Sequence, residues 1–278
     1  MRIQSLFFAT AAAALLSGSA LAADLTPRPP VVVPDEWLLT LGVGAGVQNQ
    51  FPGSKTYTAV PLGQITRWHS NEPAPFIALD DGFTLDLFDY GPFKAGPVAR
   101  YISRRGLSDG NGAFFGMHNV GWSAELGGFV EYWFANVIRA HLEVTQAVNG
   151  NKGLEANLSI DGVYRTGPWT FSAGPRLGYG DTPFMAAYFS VNPIEAALNG
   201  RVTPYSASGG LDTVGGVLQA RYDFNRSWNV IGYGGYNRLI GDAGASPIPN
   251  RLGSKDEFKG GATINYTFAW GGLGILGF

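Results

Sequence analysis

Residues 259–278 read Lys-Gly-Gly-Ala-Thr-Ile-Asn-Tyr-Thr-Phe-Ala-Trp-Gly-Gly-Leu-Gly-Ile-Leu-Gly-Phe and end the chain. Ile264, Tyr266 and Phe268 fall at even positions, whereas Thr263 and Asn265 fall between them. A period of two predicts a β-strand with one apolar, aromatic face and one polar face. The rest of the sequence can be tested against a fold in which strands present an apolar surface.

The C-terminal strand, ending in Phe278, resembles the terminal signature of bacterial outer-membrane β-barrels. The N-terminus agrees with export. Arg2 precedes an apolar stretch from Leu6 to Leu16, and Ala20-Leu21-Ala22 has the small-x-small pattern of a cleavage site. We therefore expect a signal peptide over residues 1–22, a Pro-rich lead-in over 23–36 and an outer-membrane β-barrel over 37–278, in a Gram-negative bacterium.

Composition also favours a membrane barrel. The chain has 40 Gly and 13% aromatic residues, but only 14% charged residues, against about 25% in soluble proteins. It has no Cys, which excludes disulfides and Cys-based chemistry. The net charge of -2 provides no basic field for nucleic acid. No segment reaches the roughly 20 apolar residues of a membrane-spanning helix, so we expect the chain to cross the membrane as strands in contact with outer-membrane lipid.

The hydrophobic pattern predicts an all-β fold, a closed antiparallel transmembrane barrel of about twelve strands. Connections after even-numbered strands are mostly short, and the three longest follow odd-numbered strands, as in barrels with periplasmic turns and long extracellular loops. Pro75 and Asp80-Asp81-Gly82 make the pairing around 75–89 ambiguous, and a ten-strand alternative would merge or discard pieces there. The candidate strands are residues 37–47, 57–67, 75–80, 83–89, 93–102, 121–134, 137–147, 154–165, 169–179, 213–224, 227–238 and 258–268.

The polar faces of these strands predict the interior of the barrel. Charges of both signs are interspersed there, and Glu131 and Arg139 should lie nearly opposite each other across the turn at Ala135-Asn136. Buried charges require partners, so we expect an ion-pair network that fills much of the lumen. A narrow pore stays open as an alternative, but a wide one is not favoured. The expected network comprises Glu125, Glu131, Arg139, His141, Glu143, Glu155, Asp161, Arg165, Arg176, Arg221 and Asp223.

Catalytic and cofactor sites have weak support in the sequence. His141 shares the inward face with Glu143 and could meet Ser123 in a hydrolase arrangement. Any polar lumen would produce such neighbours, so ion pairing is the simpler reading and we expect no enzyme. The dispersed histidines His69, His118 and His141 have no metal-ligand spacing. We therefore expect no metal and no cofactor. Trp122, Trp133, Trp169 and Trp228 fall at strand ends, which is typical of an interfacial aromatic belt.

The most specific motif lies in the last long loop. Residues 241–248 read Gly-Asp-Ala-Gly-Ala-Ser-Pro-Ile, Gly253-Ser254 follows, and a closing strand contains Tyr266-Thr267-Phe268. This run resembles the MipA/OmpV family of outer-membrane proteins, although the chain continues ten residues beyond the expected Tyr-x-Phe end. The resemblance extends over essentially the mature chain, and the loop could fold inward as a structural plug. Its motif residues are Gly241, Asp242, Ala243, Ser246, Pro247, Ile248, Gly253 and Ser254.

The resemblance implies a non-enzymatic scaffold for peptidoglycan biogenesis. In this reading the barrel joins a lytic transglycosylase to a penicillin-binding protein. Other members of the family are described as surface antigens or adhesins, so a surface-interacting or narrow-pore protein is the alternative. No residue pattern identifies the partner or the oligomeric state.

Overall fold

The computed structural model describes residues 36–271. The expected signal peptide, the lead-in up to residue 35 and the terminal Phe278 lie outside the described residues. Within them, the antiparallel β-barrel predicted from the sequence is confirmed as a nearly closed wall of strands. No helix in the described part is long and apolar enough to cross a membrane.

Long strands build most of the wall, and β5 has the same bounds as its predicted segment. The strands are β1 (Trp37–Asn49), β2 (Tyr57–His69), β3 (Phe83–Thr84), β4 (Phe88–Tyr90), β5 (Phe93–Ile102), β6 (Ser123–Phe134), β7 (Ile138–Ala147), β8 (Leu154–Thr166), β9 (Trp169–Gly180), β10 (Gly210–Asp223), β11 (Trp228–Leu239) and β12 (Asp256–Ala269).

The order of strands around the wall is β2-β1-β12-β11-β10-β9-β8-β7-β6-β5-β3, and β4 also pairs with β5. The chain ends meet where β1 pairs with β12, with Leu41 opposite Tyr266. In the part of the chain that the structure describes, β2 has no ladder with β3, β4 or β5. We call this interruption between β2 and β3 the seam.

The predicted strand over residues 75–80 is absent, which corrects the sequence reading. Residues 70–82, which we call the inner segment, leave the wall after β2 and return to it at β3. Ala78 and Leu79 in this segment are buried, and Leu79 N–H donates to Oε1 of Gln219 on β10 at 2.9 Å. The segment thus crosses the lumen instead of joining the sheet.

Side chains alternate between the two faces of the wall. Leu126, Val130 and Tyr132 of β6 are exposed on the outside, whereas Glu125 and Glu131 of the same strand are buried inside. Trp122, Trp169 and Trp228 belong to the outer surface. Trp133, expected in the outer belt, instead donates from Nε1 to Glu131 at 2.7 Å inside the barrel.

One end of the barrel carries short turns and the other carries long loops. The turn end has the connections 91–92, 135–137, 167–168 and 224–227. The loop end has 50–56, 103–122, 148–153, 181–209 and 240–255, with helices α1 (Asp109–Gly112), α2 (Thr182–Phe189), α3 (Pro193–Asn199), α4 (Gly241–Ala245) and a π-helical turn Ile248–Leu252.

The loops fold together into an apolar layer at the loop end, which we call the cap. Side chains cap the N-termini of two of its helices. Asp181 accepts from Phe184 N–H at the start of α2, and Asn192 and Glu195 form a reciprocal capping box on α3. Burying this much apolar surface stabilises the loops as a folded unit. Its buried core comprises Phe51, Ala113, Phe114, Met117, Val120, Phe184, Met185, Tyr188, Phe189, Val191, Ala196, Val202, Ala207, Leu239, Ala243, Ile248 and Leu252.

Candidate functional site in the barrel lumen

Arg139 on β7 is the centre of the charged lumen. Its guanidinium contacts three carboxylates: Nε lies 2.6 Å from Glu131, Nη1 lies 3.0 Å from Asp161, and Nη2 lies 2.5 Å from Asp81. Arg139 pairs directly with Asp161 across the β7–β8 ladder. A planar fork with five N–H donors is suited to several carboxylates at once, and the side chain is almost completely buried.

A second cationic centre holds the inner segment from the opposite wall. Arg176 on β9 donates to both oxygens of Asp80, from Nε at 2.8 Å and from Nη2 at 3.1 Å. Lys259 on β12 reaches the same carboxylate at 3.0 Å. Arg176 also lies 2.8 Å from Asp161, so Asp161 links the two centres.

His141 joins the remaining carboxylates. Its Nδ1 lies 3.1 Å from Glu131 and its Nε2 lies 3.1 Å from Glu143. Carboxylates only accept hydrogen bonds, so both ring nitrogens donate when the imidazole is protonated. Glu143 also binds Arg100 at 2.7 Å and accepts from Gly82 N–H at 2.8 Å.

These groups form one buried ion-pair cluster, which we call the lumen network. It has five carboxylates and four permanent cations, and protonated His141 would balance the charge. Burying such charges is tolerated only when each is paired and hydrogen-bonded. The lumen network comprises Asp80, Asp81, Arg100, Glu131, Arg139, His141, Glu143, Asp161, Arg176 and Lys259.

Sequence reasoning missed four of these residues. Arg100 and Lys259 alternate with outward apolar neighbours on β5 and β12. The two-residue alternation that predicted the other inward side chains could therefore have included them. Asp80 and Asp81 carried no such signal, because adjacent carboxylates before Gly82 read as a solvated turn. The structure instead buries both carboxylates against Arg176, Lys259 and Arg139.

The other expected members lie elsewhere. Glu125 is buried near the cap and accepts from Thr145 and Asn151. Arg221 pairs with Asp223 of its own strand at 2.7 Å. Glu155 lies on the interior face of β8, whereas Arg165 is exposed at the turn end and donates to the Asn136 carbonyl.

The structure does not assemble the hydrolase arrangement considered from the sequence. Ser123 Oγ accepts from Asn151 N–H near the cap, whereas both nitrogens of His141 face carboxylates. Asp81, His141 and Glu143 place potential metal-ligand atoms within 4.8 Å of one another. However, Asp81 binds Arg139 and Glu143 binds Arg100, so the chemistry of the cluster is ion pairing.

The residues of the sequence motif build the cap. Ser246 is fully buried, donates to the Phe189 carbonyl at 2.6 Å and accepts from Ile248 N–H. Asp242 accepts from Ser208 N–H at 2.8 Å. Gly253 packs so closely on the Gly53 carbonyl that any Cβ would collide with it. Ala243 is fully buried, Gly241 begins α4, Pro247 precedes the π-helical turn, and Ser254 N–H donates to Gly53.

Buried polar groups also hold the loops of the cap together. Arg105 is buried and donates from Nη1 to the Tyr188 carbonyl at 2.8 Å. Because burial disfavours its charged form, the pKa of Arg105 falls to about 10. Burial also raises the pKa of Tyr188 to about 12. Burial opposes ionisation of Glu195 too, but hydrogen bonds from Asn192 and His118 outweigh it and lower the pKa of that carboxyl.

The sequence of the chain matches a known protein family. The family model for the MltA-interacting protein MipA matches residues 41–268. No curated protein sequence gives a significant match.

Among solved structures, similarity is low in sequence. The COG4313 outer membrane channel from Pseudomonas putida F1 is 12% identical, with 88% of this chain and 100% of that chain covered and a TM-score of 0.42. A loop L8 deletion mutant of the Vibrio cholerae outer membrane protein OmpT is 8% identical, with 84% and 98% covered and a TM-score of 0.34. The Escherichia coli outer membrane protease OmpT is 11% identical, with 84% and 97% covered and a TM-score of 0.35.

Proposed function

Because this chain belongs to the family of the MltA-interacting protein MipA, we propose that it is a non-enzymatic outer-membrane barrel that acts as a scaffold in peptidoglycan biogenesis. In this role it holds a lytic transglycosylase, and with it a penicillin-binding protein, at the inner surface of the outer membrane.

Placement in a bilayer follows from the outer face of the barrel. Large apolar side chains are exposed along the wall, among them Val43, Leu126 and Leu218. Aromatic pairs such as Tyr101–Trp122 and Trp228–Tyr266 lie near opposite ends of the strands, as interfacial belts do. A soluble protein would not leave so much apolar surface exposed.

The observation that carries the scaffold proposal is the filled interior. The inner segment crosses the lumen, ion pairs fix it there, and the cap covers the loop end. A barrel filled in this way offers binding surfaces to partner proteins and does not offer solutes a wide pore. In outer-membrane barrels the short turns face the periplasm, where murein enzymes work, so the turn end is the surface that we assign to the partner.

Site-specific photocrosslinking in cells tests this assignment. Photoreactive residues at Val137 and Arg226 probe the turn end, because both side chains are exposed there. Arg201 and Ser208 are matched loop-end controls that are equally exposed. We expect a lytic transglycosylase or penicillin-binding protein to be captured from the turn-end positions alone. Capture of no murein enzyme from either turn would contradict the scaffold, and capture from the controls would contradict the orientation.

One observation favours a second function, recognition at the cell surface. Phe115, Ile194 and Leu198 are 68%, 71% and 61% exposed on the outside of the cap. They are neighbours, since Asn199 Nδ2 donates to the Phe115 carbonyl at 2.6 Å. Exposed apolar clusters often mark binding sites. Replacing all three by Ser should abolish attachment of bacteria to a host surface if this function holds, while turn-end crosslinks stay unchanged.

A further inference from the structure

The two edges of the seam run in the same direction. Eleven strands lie on the path from β2 to β3 around the wall, and every neighbouring pair on it is antiparallel. Direction reverses at each of the ten steps, so β2 and β3 are parallel. An ordinary antiparallel ladder therefore cannot close the seam, but one strand of opposite direction could pair with both edges.

The inner segment has the direction that this vacant position requires. It leaves β2 at the turn end and enters β3 well toward the loop end, where Phe83 pairs with Ala99 of β5. Residues 74–79 could thus run from the turn end toward the loop end between β2 and β3, as the middle strand of a meander. Asp80-Asp81-Gly82 would be a three-residue hairpin loop that ends in Gly, one of the common loops between antiparallel strands.

The sequence of the segment also suits the wall. With that loop, Leu79 would lie opposite Phe83 and Ile77 opposite Leu85. Phe83 and Leu85 are now exposed on the outer face of the seam, so the four side chains would form a continuous lipid-facing pair of strands. The two carboxylates would leave the lumen and lie in the loop.

In the lumen the segment is held by ion pairs together with other contacts, since the Phe76 ring lies 5.9 Å from the Trp133 ring and Gly82 N–H donates to Glu143. Asp80 binds Arg176 and Lys259, and Asp81 binds Arg139. Its central backbone contacts are with one side chain, because Gln219 bonds both Ile77 C=O at 2.6 Å and Leu79 N–H at 2.9 Å. In the wall the same backbone would gain a ladder on each side, with β2 and with β3, which have no ladder with each other in the part of the chain that the structure describes.

We propose that residues 74–79 are a displaced strand of the wall, which exchanges between the lumen and the seam. Its return to the seam closes a twelve-stranded barrel and uncovers an anion-binding chamber beneath the cap, reached from the turn end. In that state Arg139, Arg176 and Lys259 lose the carboxylates of Asp80 and Asp81. An anionic solute of matching size, bearing carboxylate or phosphate groups, would take their place.

Two cysteine pairs that share one cysteine distinguish the two positions of the segment. The chain has no Cys, so every thiol that reacts is an engineered one. With the segment in the lumen, a short bifunctional thiosulfonate reagent should bridge I77C and Q219C, because the end of the Gln219 side chain contacts the Ile77 carbonyl. The pair I77C and L85C should form a disulfide only in the wall, since Leu85, which follows β3, is exposed on the outer face. Both are measured on folded full-length protein in liposomes.

We expect the lumen crosslink in the native background, and we expect the wall disulfide to form several-fold faster when D80N and D81N are added. If the double variant does not fold, K259Q provides a milder release, because Lys259 binds Asp80 alone at the edge of the lumen network. Formation of the lumen crosslink without any wall disulfide, in folded D80N/D81N or K259Q protein, would overturn the proposal. A covalent dimer of the L85C variant alone would also overturn it, since a second copy would then fill the seam.

The chamber is tested by a reporter thiol. Ser159 is buried on the inner face of β8, opposite both His141 and Arg176, and S159C is nearly isosteric. We expect S159C to be protected in the native background and to react with methanethiosulfonate reagents added at the turn end when D80N and D81N are present. The sulfonate reagent should react roughly tenfold faster than the trimethylammonium reagent. Equal rates, or faster reaction of the cation, would contradict an anion-binding chamber.

Discussion

At the scale of single residues, Arg139 is the side chain on which the lumen network most depends. Its three carboxylate partners are themselves nearly inaccessible to solvent. Arg139→Gln keeps hydrogen-bond donors but leaves buried negative charge without its cation, so we expect a loss of about 3–5 kcal/mol in stability. The measurement is urea unfolding of the purified barrel in detergent, followed by heat-modifiable mobility on gels.

A matched control is Arg238→Gln. Arg238 pairs with Asp256 at 2.5 Å, but both side chains are about half exposed, and exposed pairs contribute little because solvent screens them. The two variants should therefore differ clearly in their unfolding midpoints. Similar midpoints for both would show that the lumen network is not a stabilising unit.

Glu195 makes the cap sensitive to acid. Hydrogen bonds from Asn192 N–H and His118 keep its folded-state pKa below the ordinary value of 4.5. A lowered folded-state pKa means that the carboxylate contributes stability above its unfolded-state pKa, and that this contribution is lost as pH falls through the folded-state value. As pH drops from 5 to 3, we expect the rate at which pepsin cleaves the α2–α3 loops to rise more in the parent protein than in Glu195→Gln, which shows only the increase in pepsin's own activity. A cleavage rate that changes equally in both proteins would exclude Glu195 as the cause.

At the scale of elements, α2 holds two loops of the cap together. Phe189 at the end of α2 is fully buried, and its carbonyl accepts from Ser246 of the sequence motif. Phe189→Ala should leave a cavity that costs the cap about 3–5 kcal/mol. Hydrogen exchange measured by mass spectrometry should show faster exchange in loops 181–209 and 240–255, with the strands unchanged.

Ile194→Ala on α3 is the control for that variant, because Ile194 is exposed and packs on nothing in the cap core. Its exchange pattern should match that of the parent protein. Faster exchange throughout the strands of Phe189→Ala would mean that cap and wall unfold together and are not separate elements.

The elements also show how far sequence reasoning reaches. Strands such as β5 and β6 follow from alternation, because a half-buried strand repeats every two residues whatever it pairs with. Residues 75–80 were also predicted to be a strand, yet they lie in the lumen, where Asp80 binds Arg176 and Lys259, which are far away in the chain. No local period encodes such contacts. The polar faces of the strands likewise predicted that Arg139 and Asp161 point into the lumen. They did not predict the carboxylates of Asp80 and Asp81, because these residues belong to the inner segment and not to a strand.

At the scale of the whole molecule, an antiparallel wall can close on itself only if its number of strands is even. The sequence predicted twelve strands, which would close the barrel. The wall has eleven strand positions, so the two strands at its edges run parallel to each other. The difference comes from one segment of the chain. Ion pairs join that segment to side chains of the lumen, so the number of strands in the wall could not be read from any single strand.

The outer surface of the barrel provides the last test, since it must match lipid over the whole wall. Leu218 on β10 points outward and is 67% exposed, at about the middle of its strand. Leu218→Arg would place a charge in the hydrocarbon layer at a cost of about 2–4 kcal/mol, so we expect less folded, heat-modifiable barrel in outer membranes. Val148→Arg is the control, because Val148 is equally exposed but lies in a loop-end connection, where a charge meets water. Normal assembly of Leu218→Arg would mean that this face does not contact lipid, whereas loss of assembly in both variants would trace the defect to the added arginine and not to its depth.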